Sequence, residues 1–251
     1  MDRPEGGALA QRSPRAADRP PTGLGGAARA RLLPAATPPH RGAQRPRGAH
    51  GLQKRGLAAR LRELRDAHPQ AEVALWAQDE HRLGLLPVVR RVWALRGTRP
   101  ATTVDRRYQW LYVYGFVRPA TGQSWWALAP TVTIEAMSAV LAAFAADEGI
   151  DATHRVALVL DGAGWHTSGA LRLPTGIDLI RLPAVSPELQ PAERLWPLLD
   201  EPVANRSFAD LDALEAVLVE RCQTLRADPA TIKAHTWFHW WPTESARATS
   251  C

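Results

Sequence analysis

Apolar positions recur along this chain in two rhythms, one near 3.6 residues and one of continuous or alternating runs. Leu57, Leu61 and Leu64, with Arg and Lys between them, predict an amphipathic helix over residues 52–67 that ends before Pro69. Residues 72–79 read as a strand whose last residue is the carboxylate Asp79. Residues 109–117 and 124–132 are β-rich runs joined by Pro119-Ala120-Thr121-Gly122, a hairpin signal. Residues 134–146 have helical spacing, with Thr133 placed to cap them. The unbroken apolar run 156–160 predicts a central strand buried on both faces and ending at Asp161. Residues 178–183 read as another short strand.

Pro191 marks the start of a short helix containing Glu193, because proline is favoured at the first helical position. Pro197 is expected to bend that helix, since its ring clashes with the carbonyl four residues back. Ser207 is placed to cap a longer helix over 208–225, with Leu211, Leu214, Leu218 and Leu225 on one face. A hairpin followed by alternating strands and helices predicts an α/β domain with a mixed sheet.

The first 50 residues break this rhythm. They are mostly Arg, Pro, Gly and Ala with almost no large apolar side chains, so segment 1–50 is expected to be disordered. It reads either as a nucleic-acid-binding arm or as a start-site or reading-frame accident without selected function. Residues 51–72 follow as amphipathic helix and linker, and residues 73–251 as one domain with a C-terminal helix. No run of about 18 apolar residues occurs, so no membrane-spanning helix is expected. The N-terminus lacks the apolar core of a secretory signal. Cys222 and Cys251 lie far apart and form no metal-type pair, which fits a reducing, cytoplasmic setting.

Charge changes the picture through its distribution. Residues 1–50 carry nine Arg against Asp2, Glu5 and Asp18, an excess that equals the net charge of +6 for the whole chain. The remainder is balanced, yet residues 82–107 hold seven Arg (82, 90, 91, 96, 99, 106 and 107) against the single acid Asp105. Such a local excess suits a polyanion such as DNA, because each neutralised phosphate releases condensed counterions. It reads equally as a solvated arginine-rich hairpin.

Two strands ending in Asp79 and Asp161, plus Glu193 at a helix start, form the donor set of a two-metal nuclease. Phosphodiester cleavage needs an activated water and a stabilised leaving oxygen, and two Mg2+ ions about 3.5–4 Å apart supply both. Mg2+ prefers oxygen ligands in octahedral geometry. Three carboxylates gathered without cations repel one another, and at least one should hold its proton near neutral pH. Taken singly, either aspartate also reads as a turn or helix cap, and Glu193 as a first-turn acid favoured by the helix dipole. A nucleotide-hydrolase reading of Asp161-Gly162 lacks the upstream Gly-rich loop ending in Gly-Lys-Ser/Thr.

Three blocks in order resemble the DDE transposases of the mariner superfamily, in particular the bacterial insertion-sequence six-thirty family. The first is Leu75-Trp76-Ala77-Gln78-Asp79-Glu80-His81-Arg82-Leu83-Gly84-Leu85, followed by Trp93-Ala94-Leu95-Arg96-Gly97-Thr98-Arg99-Pro100. The second is Leu158-Val159-Leu160-Asp161-Gly162-Ala163-Gly164-Trp165-His166. The third runs from Leu182-Pro183 through Pro187-Glu188-Leu189-Gln190-Pro191-Ala192-Glu193-Arg194-Leu195-Trp196 and is the most specific. The resemblance spans residues 57–225. It implies an RNase H-like mixed sheet flanked by helices, with Asp79, Asp161 and Glu193 as a triad binding two Mg2+ or Mn2+ ions. It also implies double-stranded DNA as partner, both element ends and a TA-containing target, and a homodimer or larger synaptic complex. The setting would be the bacterial cytoplasm, associated with the nucleoid.

The chain departs from that pattern in places. Gln190 and Ala192 stand where Asn and Ile are common, and the 31 residues between Asp161 and Glu193 are slightly fewer than usual. Residues 1–50 lack the helix-turn-helix pattern with which relatives recognise element ends. Around the triad, Glu80 should point to the opposite side from Asp79, and Glu188 toward solvent. His166, Arg82, Arg96, Arg99 and Trp165 are candidate substrate contacts, although His166 also reads as a surface or helix-start histidine. Trp165 and Trp196 flank the acids and read as packing residues, with stacking on an unpaired base as the alternative. Trp237, Trp240 and Trp241 are expected to cover a core edge or make a subunit contact. The expected activity is metal-dependent cleavage and strand transfer of an insertion sequence. The competing readings are an RNA–DNA hybrid nuclease or resolvase on the same scaffold, and an impaired remnant or DNA-binding regulator lacking the end-recognition domain.

Overall fold

The structure, a computed structural model, describes residues 49–93, 95–98, 107–161, 170–182 and 189–242. The expectation for segment 1–50 therefore falls outside the described residues, except that Ala49 and His50 already belong to a helix. That helix, α1 (Ala49–Ala67), is followed by β1 (Glu72–Gly84), β2 (Trp110–Arg118) and β3 (Gln123–Ala129). Then come α2 (Ile134–Asp147), β4 (His154–Leu160), β5 (Ile177–Arg181) and a 3-10 turn (Pro191–Leu195). The chain continues through α3 (Trp196–Leu199), α4 (Leu211–Arg226) and α5 (Pro229–Thr236).

The five strands form one mixed sheet in the order β3-β2-β1-β4-β5. β1, β2 and β3 pair antiparallel, while β1–β4 and β4–β5 pair parallel. This is the expected mixed sheet flanked by helices. Alternation along the strands sorts side chains onto two faces. Even-numbered residues of β1, β2 and β4, such as Trp76, Tyr114, Phe116, Leu158 and Leu160, meet Met137, Leu141 and Phe144 of α2. Phe144 is the hub there, stacked on Phe116 at 4.3 Å and edge-on to Trp76 at 5.1 Å and Trp125 at 5.6 Å. Odd-numbered residues, such as Leu75, Ala77, Val113, Ala157 and Val159, meet Leu61 of α1, Leu195 of the 3-10 turn and Leu214, Leu218 and Leu225 of α4. Cys222 lies in the same layer, and burial pushes its thiol up to about 12, which suits an inert core residue. Trp241 is buried in this layer, with Trp237 and Trp240 packed against it, so the C-terminal tryptophans cover a core edge. Among the described residues no helix is long and apolar enough to cross a membrane.

Three expectations need correction. β1 does not end at Asp79 but runs to Gly84, because its second half has a new partner. Its first half pairs with β4 up to Ala77↔Val159, and from Ala77 onward it pairs with β2. Pro197 does not bend a helix from within. The 3-10 turn gives way to α3 at Trp196, so the proline falls in the first turn of α3, where its missing N–H takes no intrahelical bond. The long helix starts at Leu211, capped by Asp210 accepting from the N–H of Ala213 at 2.8 Å, not at Phe208 under Ser207. The carbonyls of Phe208 and Ala209 accept from the guanidinium of Arg107 instead, at 3.1 and 2.6 Å. α5, capped by Asp228, was not expected.

Two turns depend on left-handed glycines. Gly149 (φ 63°) ends α2 in a Schellman arrangement, with Ile150 N–H on the Ala145 carbonyl at 2.8 Å. Gly122 (φ 83°) closes the β2–β3 hairpin, and any Cβ there would collide with the Pro229 carbonyl oxygen. A Cβ on Gly149 would meet nothing within 4 Å. Gly149→Ala should therefore cost only the left-handed strain, about 1–2 kcal/mol. Gly122→Ala carries the same strain plus displacement of the start of α5, and should cost clearly more. Urea denaturation of the two variants checks the ranking; equal losses would mean that the hairpin yields without disturbing α5.

Candidate active site

Strand register runs toward Asp79 and Asp161. Ala77 pairs with Val159 at the last step of the parallel β1–β4 ladder, two residues short of each acid. Adjacent strands lie about 4.8 Å apart, and a period of two returns the Asp79 side chain to the odd-numbered face, whereas Asp161 is the first residue beyond β4. The ladder stops at Ala77 and β4 at Leu160, which opens a notch between the strands. Gln190, buried at the entrance to the 3-10 turn, donates Nε2 to the Gln78 carbonyl across that notch at 2.9 Å. The longer side chain at this position thus ties the turn to β1.

Glu193 is the third residue of that turn and is exposed. Ala192 and Leu195 are fully buried beside it, anchoring the turn on the odd-numbered face. Burial, first, and the charges of Glu80 and Glu193 push the Asp79 carboxyl up to about 7 from its ordinary 3.8, against the lowering effect of Trp196. Of the three acids, Asp79 is influenced by the charge of Glu193, and Asp161 is the first residue beyond β4. They do not close into a cage: among the described residues no group of three His, Cys, Asp or Glu side chains could hold a metal ion. Like-charge repulsion acts against such closure when no cation offsets it.

Sequence reasoning assigned Trp196 to packing, and the structure shows more. Its Nε1 donates to Oδ2 of Asp79 at 2.9 Å. Its indole stacks on His81, with centroids 4.9 Å apart and planes 13° off parallel. On β2 the residue paired with Asp79 is Gly115, and a Cβ there would come within 2.8 Å of Cη2 of Trp196. A glycine in mid-strand is ordinarily unfavourable; here it makes room for the indole. The spacing Glu193–Trp196 was the only signal available in the sequence.

The remaining candidates divide. Glu80 accepts from Nε2 of Gln78 at 2.9 Å, a residue of the same phase, and so lies on the face opposite Asp79, as expected. Arg82 also has the even phase, and its guanidinium sits 4.8 Å over the ring of Trp110, which separates it from the acids. Arg96 is exposed in a turn of the arm linking β1 to β2. Arg99, Trp165, His166 and Glu188 lie outside the described residues. Among the described arginines of the cluster, Arg107 bonds to the fold as above, and Arg90 donates to the Asp200 carboxylate at 3.2 Å and the Pro197 carbonyl at 2.9 Å. Arg91 is exposed.

The raised carboxyl has a consequence for stability. Below about pH 4 Asp79 is neutral in the folded and unfolded chain alike. Between about 4 and about 7 the folded protein keeps a proton that the unfolded chain has released, so metal-free stability falls as pH rises through that window. Asp79→Asn should therefore melt with the parent near pH 4 and above it at pH 8 in the presence of a chelator. A difference in Tm that does not change with pH would refute this account.

Residues 74–215 match the family described as DDE superfamily endonuclease. An uncharacterized protein y4pE/y4sA of Sinorhizobium fredii (strain NBRC 101917 / NGR234) is 38% identical over 104 residues, covering 41% of this chain and 76% of the relative. Among solved structures, the Mos1 transposase paired-end complex with left transposon end aligns at a TM-score of 0.46 and 16% identity, over 82% of this chain and 68% of that one. The catalytic domain of Mos1 mariner transposase aligns at 0.42 and 14% identity, over 81% and 100%.

Proposed function

The chain belongs to the DDE superfamily endonucleases, and on that footing we propose that it cuts and rejoins DNA at the ends of an insertion sequence, with Asp79, Asp161 and Glu193 as its metal-binding acids. The observation that supports this reading is the parallel register that ends at Ala77↔Val159, two residues short of Asp79 and Asp161, with Glu193 on a turn whose neighbours Ala192 and Leu195 pack on the odd-numbered face. The donor set is all oxygen, as Mg2+ or Mn2+ requires. Burial, first, and the charges of Glu80 and Glu193 raise the Asp79 carboxyl to about 7, and a bound cation would offset both. Two bound divalent ions would supply Lewis acidity for the attacking and leaving oxygens of an in-line displacement.

The protein's own residues do the positioning. Trp196 fixes one oxygen of Asp79, the buried Ala192 and Leu195 hold Glu193 over the sheet, and Gln190 keeps the turn against β1. Asp79 must give up its proton on binding metal, so affinity should rise with pH through about 7. No covalent enzyme intermediate is needed, because orientation and charge neutralisation carry a phosphoryl displacement. Outside the notch, the arm between β1 and β2 presents Arg91 and Arg96 to solvent beside exposed Trp93 and Leu95. That combination suits the phosphate backbone of duplex DNA, including the element ends and a TA-containing target. Synapsis of two ends calls for a homodimer or larger complex.

Asp161→Asn should lower Mg2+-dependent cleavage of a labelled duplex bearing the flanking inverted repeat by on the order of a hundredfold or more. Circular dichroism should be unchanged. A variant as active as the parent would remove Asp161 from the site. Joining assays separate the activities on this scaffold: a transposase transfers the cut 3′ end to a target duplex, whereas a hybrid nuclease or resolvase leaves no such product.

A further inference from the structure

We propose that Asp200 is a positioning residue for Asp79, acting through His81 and Trp196, and that it ties this acid to the root of the β1–β2 arm. The inference rests on the reading of Asp79 as a site acid. Asp200 follows α3 and is buried, and its N–H donates to the Trp196 carbonyl at 2.9 Å. Its Oδ1 lies 2.9 Å from Nε2 of His81, and its Oδ2 accepts from Arg90 at 3.2 Å. His81 in turn covers one face of the Trp196 indole, while Gly115 on β2 seats the ring edge without a Cβ between. Held in this way, the indole keeps Nε1 on Oδ2 of Asp79. A carboxylate torsion is broad when free, so a fixed donor on one oxygen narrows where the other can point.

A buried carboxylate needs a partner, and one would satisfy that need. Asp200 has two, at the two ends of one excursion of the chain: His81 in β1 and Arg90 in the arm. The arm is bolted further by Asn205, which accepts from the Arg90 N–H at 2.9 Å and donates to the Arg90 carbonyl at 3.0 Å. The Asn205 N–H donates to the Val88 carbonyl at 2.8 Å. Asn205 adopts φ 58°, an uncommon backbone for a residue with a Cβ, and these contacts hold it there. Arg107 fastens the returning leg to the carbonyls of Phe208 and Ala209. The arm and residues 196–209 therefore form one unit, and its link to Asp79 runs through Asp200, His81 and Trp196.

The test uses the full chain and the variants Asp200→Asn, Trp196→Phe and the double. Mn2+ binding is read by electron paramagnetic resonance of the free ion, and cleavage of the duplex by kcat and KM. Asp200→Asn keeps the side-chain shape and loses the charge; Trp196→Phe keeps a stacking ring and loses the donor. Each should weaken Mn2+ binding about tenfold and lower kcat with KM for DNA unchanged, the range seen when supports of metal ligands are removed. The double variant should be no worse than the weaker single, because both act on one link. Mn2+ affinity equal to the parent in Asp200→Asn, or a double loss equal to the product of the singles, would overturn the proposal. Should Asp200→Asn not fold, His81→Phe keeps the stack and loses the bond to Asp200; unchanged Mn2+ affinity there is equally fatal. Asp79→Asn separates the layers. Loss of Mn2+ binding there with no effect in Asp200→Asn sinks the positioning role alone, whereas normal binding in Asp79→Asn sinks the site reading with it.

Discussion

Beyond Ala77 and Val159 the parallel ladder between β1 and β4 stops, while β1 continues in its pairing with β2, its one strand partner there among the described residues. A strand that changes partners halfway must leave one edge open, and the open edge needs another way to satisfy its backbone. Gln190 supplies one such bond, to the Gln78 carbonyl, and by doing so brings in the 3-10 turn that carries Glu193. The ladder ends two residues before Asp79 and Asp161, and the turn held by Gln190 carries Glu193.

Burial, first, and the neighbouring charges of Glu80 and Glu193 push the Asp79 carboxyl up to about 7. What makes the arrangement tolerable is the rigidity around it. On the far face the aromatic cluster of Trp76, Phe116, Trp125 and Phe144 packs α2 against the sheet. Aromatic pairs of this kind contribute about 0.5–1.5 kcal/mol each beyond their buried area. On the near face the Trp196 indole, seated on Gly115 and stacked on His81, holds the first acid in one orientation.

The arginine-rich stretch between β1 and β2 proves to have a divided purpose. Arg90 and Arg107 lie at its two roots and bond to the segment 197–209. Arg91 and Arg96 face solvent, beside exposed Val89, Trp93 and Leu95. Charge counting treats these arginines as equal. Their geometry separates those that fasten the arm from those free to meet a polyanion.

Much of this protein was legible before any coordinates. The apolar run 156–160, the hairpin signal at 119–122, the cap at Thr133 and the turn start at Pro191 are local, and local rules of torsion and periodicity act on neighbouring residues. The family was legible too, through motifs that lie within residues 74–215. The full length of β1, the start of α4 at Leu211, and the roles of Trp196, Gly115 and Asp200 were not. Each depends on a contact between residues far apart in the chain: Asp79 with Trp196, Gly115 with Trp196, His81 and Arg90 with Asp200, Arg107 with Phe208 and Ala209. Hydrophobic spacing along a chain states which side of an element is buried. It does not state what meets that side, and only the packed sheet decided which indole would reach Asp79.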